Sequence, residues 1–391
     1  MDKLIARQAE KLVRSWLDTR KVLLVLGARQ VGKTTLLKNF FRTFRVAYLN
    51  LDVETDKLIF SRAAALDPRA AVKSLSDPEV IILDEAQRLP EASRVVKGWY
   101  DYEVPAKIIM SGSSSLNLLD QSAESLTGRN IKLYLPPLLF AEVVAAQSWY
   151  SPVGGKKGLA AFHNQIESLL NTAMVYGSYP EAVITSNKQE YLTNLVTDYL
   201  LKDILHLGLV KTPDMVRRLL SLLAYQAGSV VSVNELANTL NISRVTVDRY
   251  LDLLEQTFVI FRLPAFSNNP RKEISKSQKI FFWDTGVRNA LIGEFNTHIN
   301  RPDMGKLWEN WVIAEFAKRI FLEGNLSRMF FWQSRSRSEV DLVIKETTGD
   351  IKAYEIKWST GSVTKAFTSR YKIPVNLIHR GNFLEFLISN Y

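Results

Sequence analysis

The sequence predicts an α/β protein that begins with a parallel sheet, continues through a helical region and ends in a second, smaller α/β part. Val22–Leu26, Val80–Leu83 and Lys107–Met110 are short, continuous apolar runs separated by stretches of helical spacing. Such runs are typical of strands buried on both faces of a parallel sheet. Strand signals fade between residues 140 and 205, return briefly near residues 259–283, and form a series of short runs after residue 325.

Length and composition exclude several other classes. The chain has 391 residues, of which 47% are hydrophobic and 23% charged, so a disordered or fibrous protein is excluded. At ~150 residues per domain, two to four domains are expected. The absence of cysteine excludes disulfides, thiolate metal sites and a cysteine nucleophile.

Localisation and charge give weaker expectations. No apolar run approaches the ~20 residues of a membrane helix, and the first residues carry charges throughout, which does not fit a signal peptide. We therefore expect a cytoplasmic protein with no membrane partner. The net charge of +10 permits a polyanionic partner such as DNA without requiring one.

The remaining elements follow in chain order. Apolar spacing predicts a helix over residues 3–19, further strands over Arg45–Leu51 and Ile131–Leu135, and three helices followed by a strand within residues 214–263. In the last part, an amphipathic helix over Met304–Phe321 precedes three short strands. These strands are predicted at Phe330–Trp332, Val340–Ile344 and Lys352–Lys357.

A phosphate-binding motif follows the first strand directly. Its residues fit G-x-x-x-x-G-K-[ST] and lead through Thr35 into a predicted helix, and they are Gly27, Ala28, Arg29, Gln30, Val31, Gly32, Lys33 and Thr34. Glycines let several backbone N–H groups turn toward phosphates, and a helix N-terminus favours negative charge. We expect ATP to bind here, with Lys33 on the β- and γ-phosphates and the Thr34 hydroxyl as a ligand of Mg²⁺.

Two carboxylates follow the strand Val80–Leu83. Asp84 is expected to hold Mg²⁺, directly or through its water shell, and Glu85 to orient and deprotonate the attacking water. The next strand, Lys107–Met110, runs into a serine-rich segment. Either Ser111 or Ser113 could position that water or sense the γ-phosphate. The competing interpretation is a serine turn that caps the following helix.

The motifs together resemble a known family. GARQVGKTTLL, YLNLD, ILDEAQ, SGSSS, LTGR and YLPPLLFAEV are similar to a prokaryotic AAA+-type P-loop ATPase family. Its members usually carry a C-terminal domain of unknown function related to PD-(D/E)XK nucleases. Later segments continue the resemblance, namely YGSYPEAV, FWDTGVRNAL and LWENWVIAE. The resemblance implies ATP binding and slow hydrolysis.

Arg129 lies where AAA+ ATPases carry an arginine finger. In such a family one subunit extends this guanidinium to the nucleotide of its neighbour, so the resemblance implies a homo-oligomer. The alternative is a surface arginine that closes a helix C-terminus.

Residues 229–256 fit a helix-turn-helix, with a capping box at Ser232 and Glu235. Polar groups able to reach DNA on its second helix are Arg244, Thr246, Arg249 and Tyr250. Two strands, Val259–Leu263 and Lys279–Trp283, would form the wing of a winged helix. Its tip would carry Arg271 and Lys272, which are suited to phosphates. The alternative is a lid that packs on the ATPase core.

The C-terminal part contains carboxylates in a pattern similar to that of PD-(D/E)XK nucleases. Glu309 lies on the apolar face of a helix, where a metal or a cationic partner would explain a carboxylate. Asp341, Glu355 and Lys357 lie on the strands that follow, and alternation places Glu355 and Lys357 on one face. In a nuclease these carboxylates would bind Mg²⁺ and Lys357 would help to activate water. The same pattern also occurs by chance in charged hairpins, and a fold can persist without its chemistry.

Four modules are therefore expected. They are a P-loop AAA+-like ATPase core over residues 1–145, a helical lid or connector over 146–205, a winged helix over 206–300 and a restriction-endonuclease-like domain over 301–391. The expected function is Mg²⁺-dependent ATP hydrolysis coupled to DNA binding or processing. The alternative is a nucleotide-controlled oligomeric switch with marginal hydrolysis and no nuclease activity.

Overall fold

The computed structural model describes residues 4–113, 126–150, 161–200, 213–267, 278–297, 301–324, 326–334 and 336–388. Its contacts divide the chain into two compact units, and the boundary lies between Pro136 and Pro137. The first unit contains the predicted parallel sheet, and the second contains the helical region, the helix-turn-helix and the C-terminal sheet. The finer division into four modules remains a prediction.

The first unit is a five-stranded parallel sheet with helices between its strands. In chain order its elements are α1 (Ala9–Leu17), β1 (Val22–Leu26), α2 (Lys33–Phe40), β2 (Val46–Asn50), α3 (Glu54–Ala64), α4 (Pro68–Ser74), β3 (Val80–Asp84), α5 (Ala92–Asp101), β4 (Lys107–Gly112) and β5 (Asn130–Tyr134). Each strand predicted here is confirmed to within two residues at its ends. Strands β1 and β3 are buried along their whole length, as their continuous apolar sequences require.

The strand order brings three loops of different chemistry to one edge of the sheet. The sheet runs β2-β3-β4-β1-β5, and every neighbouring pair is parallel. Strand β4 therefore lies between β1, which leads into the phosphate loop, and β3, which ends at Asp84. Because parallel strands present their carboxyl ends at one edge, all three loops open on the same crevice.

The second unit begins with helices, as predicted, and then forms a small antiparallel sheet. Its helices are α6 (Phe140–Ala145), α7 (His163–Tyr176), α8 (Pro180–Ile184), α9 (Lys188–Asn194), a π-helical turn (Leu195–Leu200) and α10 (Pro213–Tyr225). They are followed by β6 (Val230–Val231), α11 (Val233–Leu240), α12 (Arg244–Gln256), β7 (Ile260–Pro264), β8 (Gln278–Phe282) and α13 (Thr285–Ile292). The three strands pair in the order β6-β8-β7.

The helix-turn-helix is present at the predicted residues. The Oγ of Ser232 accepts the Glu235 N–H at 3.3 Å, and the Oγ of Ser243 accepts the Thr246 N–H at 3.1 Å. These bonds satisfy amides at the start of α11 and α12 that have no partner within the helix. Asn241 ends α11 in the left-handed conformation, with φ 53°. The predicted wing tip, with Arg271 and Lys272, lies outside the described residues, and the winged-helix assignment remains a prediction.

The chain ends in a helix and a four-stranded mixed sheet. The elements are α14 (Met304–Leu322), β9 (Arg328–Gln333), β10 (Glu339–Lys345), β11 (Ile351–Ile356), α15 (Lys365–Tyr371), β12 (Val375–Ile378) and α16 (Phe383–Leu387). Strands β9, β10 and β11 form an antiparallel meander, and β12 joins β11 in parallel. The predicted order of one helix and three strands is confirmed, and the last helix–strand pair extends it.

A buried ionic network connects three of the later sequence motifs, which contain Ser178, Asp284 and Glu315. Lys318 of α14 donates to Glu315 at 2.8 Å and to the Ser178 hydroxyl at 2.7 Å. The amide of Ser178 donates in turn to Asp284 at 2.7 Å. These four side chains are at most 4% exposed. They join the helical region, the end of β8 and α14, so these motifs hold the second unit together.

Candidate active site

The phosphate loop connects β1 to α2 and depends on two glycines. A Cβ on Gly27 would lie 2.2 Å from the carbonyl oxygen of Leu135, so only glycine fits this close approach. Gly32 adopts φ 93°, a conformation that side chains disfavour, and α2 begins at the next residue. The loop therefore curls tightly and ends at a helix N-terminus, which is a favourable place for phosphate oxygens.

Lys33 is the first residue of α2, and its side chain turns back over the loop. It is 6% exposed, and its ammonium donates to the carbonyl oxygens of Gly27 and Ala28, each at 2.9 Å. Because these are neutral acceptors, a phosphate oxygen would be a stronger partner for the same ammonium. Lys33 is thus held at the loop in position to meet an anion.

Arg7 braces the loop from behind, which the sequence analysis missed. Its guanidinium donates to the carbonyl oxygen of Val31 at 2.8 Å and to that of Pro136 at 2.7 Å. The side chain is 8% exposed. The two bonds connect the phosphate loop at Val31 to Pro136, two residues after the end of β5.

Asp84, at the end of β3, accepts hydrogen bonds from three side chains. Its Oδ2 accepts from Thr34 at 2.7 Å and from the Tyr48 hydroxyl at 2.5 Å, and its Oδ1 accepts from Ser111 at 2.6 Å. Burial alone would raise the pKa of Asp84, but these three bonds and the Lys33 ammonium lower it overall. Asp84 is therefore a stable anion. The pKa of Tyr48 is raised, first by burial and second by its hydrogen bond to Asp84.

The residues around Asp84 fit a magnesium ion. Mg²⁺ prefers oxygen ligands, and in nucleotide sites it takes one or two from the protein and the rest from water and phosphate. The Thr34 hydroxyl and the Asp84 carboxylate are adjacent oxygen donors at the start of α2. This is the pair that the sequence predicted as magnesium ligands.

Glu85 lies next to Asp84 in an unusual backbone conformation. Its φ is 52°, and a 3₁₀ turn over Ala86–Arg88 starts directly after it. The Glu85 Oε2 accepts from the Gln87 amide nitrogen at 2.5 Å and from the Ser113 hydroxyl at 3.4 Å. The predicted base thus lies at the crevice with two hydrogen-bond donors on one of its oxygens.

The two candidate serines have different partners. The Ser111 hydroxyl is fully buried and donates to Asp84, whereas Ser113 contacts Glu85 and Gln87. Ser111 therefore supports the predicted magnesium ligand, and Ser113 is the hydroxyl beside the predicted base. The helix that the serines were alternatively expected to cap falls in residues 114–125, outside the described part of the chain.

Arg129 lies away from this chain's own phosphate loop. It directly precedes β5, and its backbone oxygen accepts the amide of Val22, the first residue of β1. It therefore lies at the amino edge of the sheet, opposite the crevice. Its guanidinium forms a surface ion pair with Asp101, at 2.7 Å. Arg129 is therefore not part of this chain's own phosphate-binding crevice, and its role as an arginine finger remains a prediction.

A second group of carboxylates lies in the second unit. Glu309 of α14 and Glu339 and Asp341 of β10 have carboxylate oxygens within 4.8 Å of one another. They line an open cleft of about 780 Å³. Lys279 of β8 enters the group, 2.9 Å from Glu309 and in contact with Glu339. This ammonium is the cationic partner that the apolar position of Glu309 required.

The group contains more negative than positive charge. Burial raises the pKa of Asp341 to about 7, and the neighbouring carboxylate of Glu309 adds to the shift. Burial also raises the pKa of Glu309 against the attraction of Lys279. The pKa of Lys279 is raised because its three acidic neighbours outweigh its burial. One ammonium therefore does not neutralise three carboxylates, and a further proton or cation is favoured here.

Of the three carboxylates in the expected nuclease set, Glu309 and Asp341 belong to this close group and Glu355 does not. Glu355 lines the same cleft, but its carboxylate accepts the Thr364 amide at 2.7 Å and pairs with Lys357 at 2.8 Å. Lys357 in turn donates to the carbonyl oxygen of Ser362 at 2.6 Å. The third member of the close carboxylate group is Glu339, which lies two residues before Asp341 and shares its face of β10.

The predicted DNA-contacting residues of the helix-turn-helix differ in their exposure to solvent. Arg244 and Arg249 of α12 are exposed, and Val245 is 77% exposed. The Thr246 hydroxyl instead contacts the Ser243 hydroxyl at 2.8 Å. Tyr250 is wrong as a contact candidate, because its side chain is 6% exposed and packs into the core.

The parallel sheet, the phosphate loop and the Asp84–Glu85 pair together match the core of the P-loop ATPase class. Comparison with known proteins supports this class: residues 19–144 match the profile of a family described as "AAA domain". Residues 167–298 and 304–383 match two families described as domains of unknown function, DUF8612 and DUF4143.

Relatives with similar sequences occur in bacteria and archaea. The chain is 28% identical over 370 residues to an uncharacterized protein of Mycobacterium tuberculosis, covering 93% of this chain and 76% of the relative. It is 25% identical over 354 residues to an uncharacterized protein of Methanocaldococcus jannaschii, covering 87% and 76%. The Walker-type ATPase PABY2304 of Pyrococcus abyssi has a similar fold, with 16% identity and a TM-score of 0.51 over 74% of this chain and 96% of that one.

None of the described helices combines the length and the apolar character that a membrane-spanning helix needs.

Proposed function

We propose that this chain hydrolyses ATP in a Mg²⁺-dependent reaction at the crevice of its first unit. The observation that carries the proposal is the Asp84 carboxylate, which is anionic, buried and bonded to Thr34 at the start of the phosphate-loop helix. The neighbouring Glu85 adds a carboxylate suited to a water molecule. The AAA-domain match and the Walker-type fold support the same activity.

Each residue has a distinct role in this proposal. The loop amides and Lys33 bind the β- and γ-phosphates, and Thr34 and Asp84 hold Mg²⁺ against them. Bound Mg²⁺ would neutralise charge that develops on the phosphates. Glu85 accepts a proton from the attacking water, and Ser113 lies close enough to its carboxylate to align that water. Tyr48 and Ser111 fix Asp84 through their hydroxyl groups.

Nucleotide binding is the first test. In calorimetric titrations with ATP and Mg²⁺, we expect Lys33→Ala to weaken binding at least about 100-fold, because the positive charge at the phosphates is lost. Lys73→Ala, which removes an exposed lysine of α4, is the matched control and should bind like the wild type. Equal affinity in all three proteins would contradict the assignment of the site.

We further propose that Arg129 acts on a neighbouring subunit's nucleotide. Lys33→Ala protein cannot bind ATP but keeps Arg129, whereas Arg129→Ala protein binds ATP but lacks the finger. Each variant alone should be nearly inactive, and mixing the two should restore part of the ATPase activity. Full activity of Arg129→Ala alone would show that the residue is only the surface partner of Asp101.

A second candidate function, DNA binding, rests on the exposed end of α12. The first residues of a recognition helix contact base edges in helix-turn-helix proteins. Here Arg244 and Val245 begin the helix, both exposed, and Arg249 follows one and a half turns later. A large apolar side chain that is 77% exposed beside two arginines suits contact with a thymine methyl group and phosphates.

Gel shifts test this candidate. Arg249→Ala should weaken duplex binding about 3- to 10-fold. It should also reduce the slope of log K against log salt concentration by about 1, because one phosphate contact is lost. Arg217→Ala, on the exposed face of α10 with 57% of its side chain accessible, is the control. Binding that does not change in either variant, or that changes equally in both, would remove the DNA-reading role from α12.

Nuclease activity would be the extension of DNA binding to the carboxylate cleft. The helix, three-strand, helix, strand order and the acids Glu309, Glu339 and Asp341 support it, but a cation there would have to share its ligands with Lys279. A nicking assay with Mn²⁺ or Mg²⁺ would compare the wild type with Asp341→Ala and with Glu346→Ala, a control at the far end of β10. Cleavage that survives Asp341→Ala would not come from this cleft.

A further inference from the structure

The three residues Glu85, Ala86 and Gln87 combine two features that cost stability. Glu85 has a positive φ of 52°, which is strained for a side chain other than glycine. The Oε1 of Gln87 is buried and has no hydrogen-bond partner among the residues that the structure describes, and an unpaired buried atom costs about 1–3 kcal/mol. Unfavourable features of this kind persist where function requires a fixed geometry.

The orientation of the Gln87 amide is determined by its neighbours. Its nitrogen lies 2.5 Å from Glu85 Oε2 and 3.4 Å from the Ser113 hydroxyl. If the amide were reversed, its oxygen, which can only accept, would face the Glu85 oxygen in place of the N–H donor. The amide therefore keeps its donor on Glu85 although this leaves its own oxygen unpaired.

We propose that Gln87 is a positioning residue for ATP hydrolysis, acting through Glu85. Its amide fixes Oε2 of the base and links it to Ser113 at the end of β4, which leaves Oε1 of Glu85 for the proton of the attacking water. The strained backbone at Glu85 and the 3₁₀ turn that follows it bring the side chains of Glu85 and Gln87 into contact, with Ala86 between them in the chain. The inference rests on the proposed ATPase activity and adds a residue to it.

This role predicts a loss in turnover rather than in binding. Gln87→Glu has the same shape but replaces the donor by an acceptor, and Gln87→Ala removes the contact altogether. We expect kcat to fall about 30- to 100-fold in both variants, while KM and the Kd for ATP change less than about 3-fold. The matched control is Gln147→Glu. Gln147 follows the end of α6, and its side-chain amide donates to the Val143 carbonyl oxygen.

Two phosphate analogues separate positioning from a structural role. ADP with aluminium fluoride mimics the transition state together with its in-line water, whereas ADP with beryllium fluoride mimics bound ATP. In Gln87→Glu the affinity for the aluminium fluoride complex should fall at least about 10-fold, and the affinity for the beryllium fluoride complex should not change. A residue that only stabilised the turn would lower both affinities or neither.

The outcomes also separate this inference from the proposed function. If the wild type does not hydrolyse ATP, the proposed function fails. If the wild type is active, Glu85→Gln is inactive and both Gln87 variants keep wild-type kcat, only the inference fails. Loss of ATP binding in both Gln87 variants would likewise overturn it, because the residue would then maintain the fold of the site.

Discussion

The two acidic clusters of this protein use similar side chains with opposite electrostatic balance. In the first unit, one carboxylate, Asp84, receives hydrogen bonds from Thr34, Tyr48 and Ser111. In the second unit, Glu309, Glu339 and Asp341 surround the ammonium of Lys279. The pKa of Asp84 is lowered, whereas the pKa values of Glu309 and Asp341 are raised.

The difference shows that the ability of a carboxylate site to bind a metal ion depends on how many hydrogen-bond donors and cations support each negative charge. Asp84 is an anion already supported by its neighbours, so a magnesium ion with its phosphates can bind without a change of protonation. The second cluster must first release protons or displace Lys279 before it can bind a metal ion. The predicted nucleotide site is therefore organised in advance, and the carboxylate cleft is not.

The largest expected effect breaks the second cluster. Lys279→Met removes the ammonium that forms ion pairs with Glu309 and Glu339, and a buried ion pair that loses one partner destabilises a protein by about 3–5 kcal/mol. We expect a loss of that size in the free energy of unfolding at pH 8, measured by urea denaturation. Lys345→Met, at an exposed position of β10, should change stability by less than about 0.5 kcal/mol.

A metal ion should distinguish this variant further. Without the competing ammonium, Mn²⁺ should stabilise Lys279→Met more than it stabilises the wild type. If Mn²⁺ has the same effect on both proteins, Lys279 does not occupy the position of a cation.

A smaller effect concerns the pH dependence of stability in EDTA. The pKa of Asp341 is raised from 3.8 to about 7, so the folded protein holds a proton that the unfolded chain releases near pH 4. Its contribution to stability is complete below about pH 4, declines as the pH rises and is lost above about pH 7. Asp341→Asn should remove about 1–3 kcal/mol of this decline. Parallel pH profiles of the two proteins would contradict the raised pKa.

The smallest effect tests the first cluster. Tyr48→Phe removes one of three side-chain donors from Asp84, and a hydrogen bond to a charged group contributes about 1.5–3 kcal/mol. Since Thr34 and Ser111 remain, we expect the lower end of this range, roughly a 10-fold drop in kcat/KM for ATP hydrolysis. Tyr102→Phe, at a residue 66% exposed, is the control and should have no effect.

Sequence analysis predicted the parts of both sites that are contiguous in the chain. The phosphate loop, Asp84 and Glu85 depend on one strand and the loop that follows it, and local patterns describe such units well. Tyr48 was beyond this approach, because its contact with Asp84 depends on the pairing of β2 with β3. Gln87 had no signal apart from its place two residues after the base.

In the C-terminal cluster, one residue could have been predicted from the sequence and another could not. Strand alternation, which placed Glu355 with Lys357, also places Glu339 with Asp341, so Glu339 could have been predicted. Lys279 could not, because it comes from β8 and meets Glu309 only through the packing of that strand against α14. Long-range contacts of this kind leave no periodic pattern in the sequence.

The central claim is that the Asp84–Glu85 crevice hydrolyses ATP, and phosphate release measured beside ATP binding tests it most directly. The wild type should release phosphate in a Mg²⁺-dependent reaction. Glu85→Gln should bind ATP with an affinity within about 3-fold of the wild type and turn over at least about 100-fold more slowly. Equal turnover in the two proteins would contradict the assignment of the base. Binding without measurable turnover in either protein would favour a nucleotide-controlled switch instead.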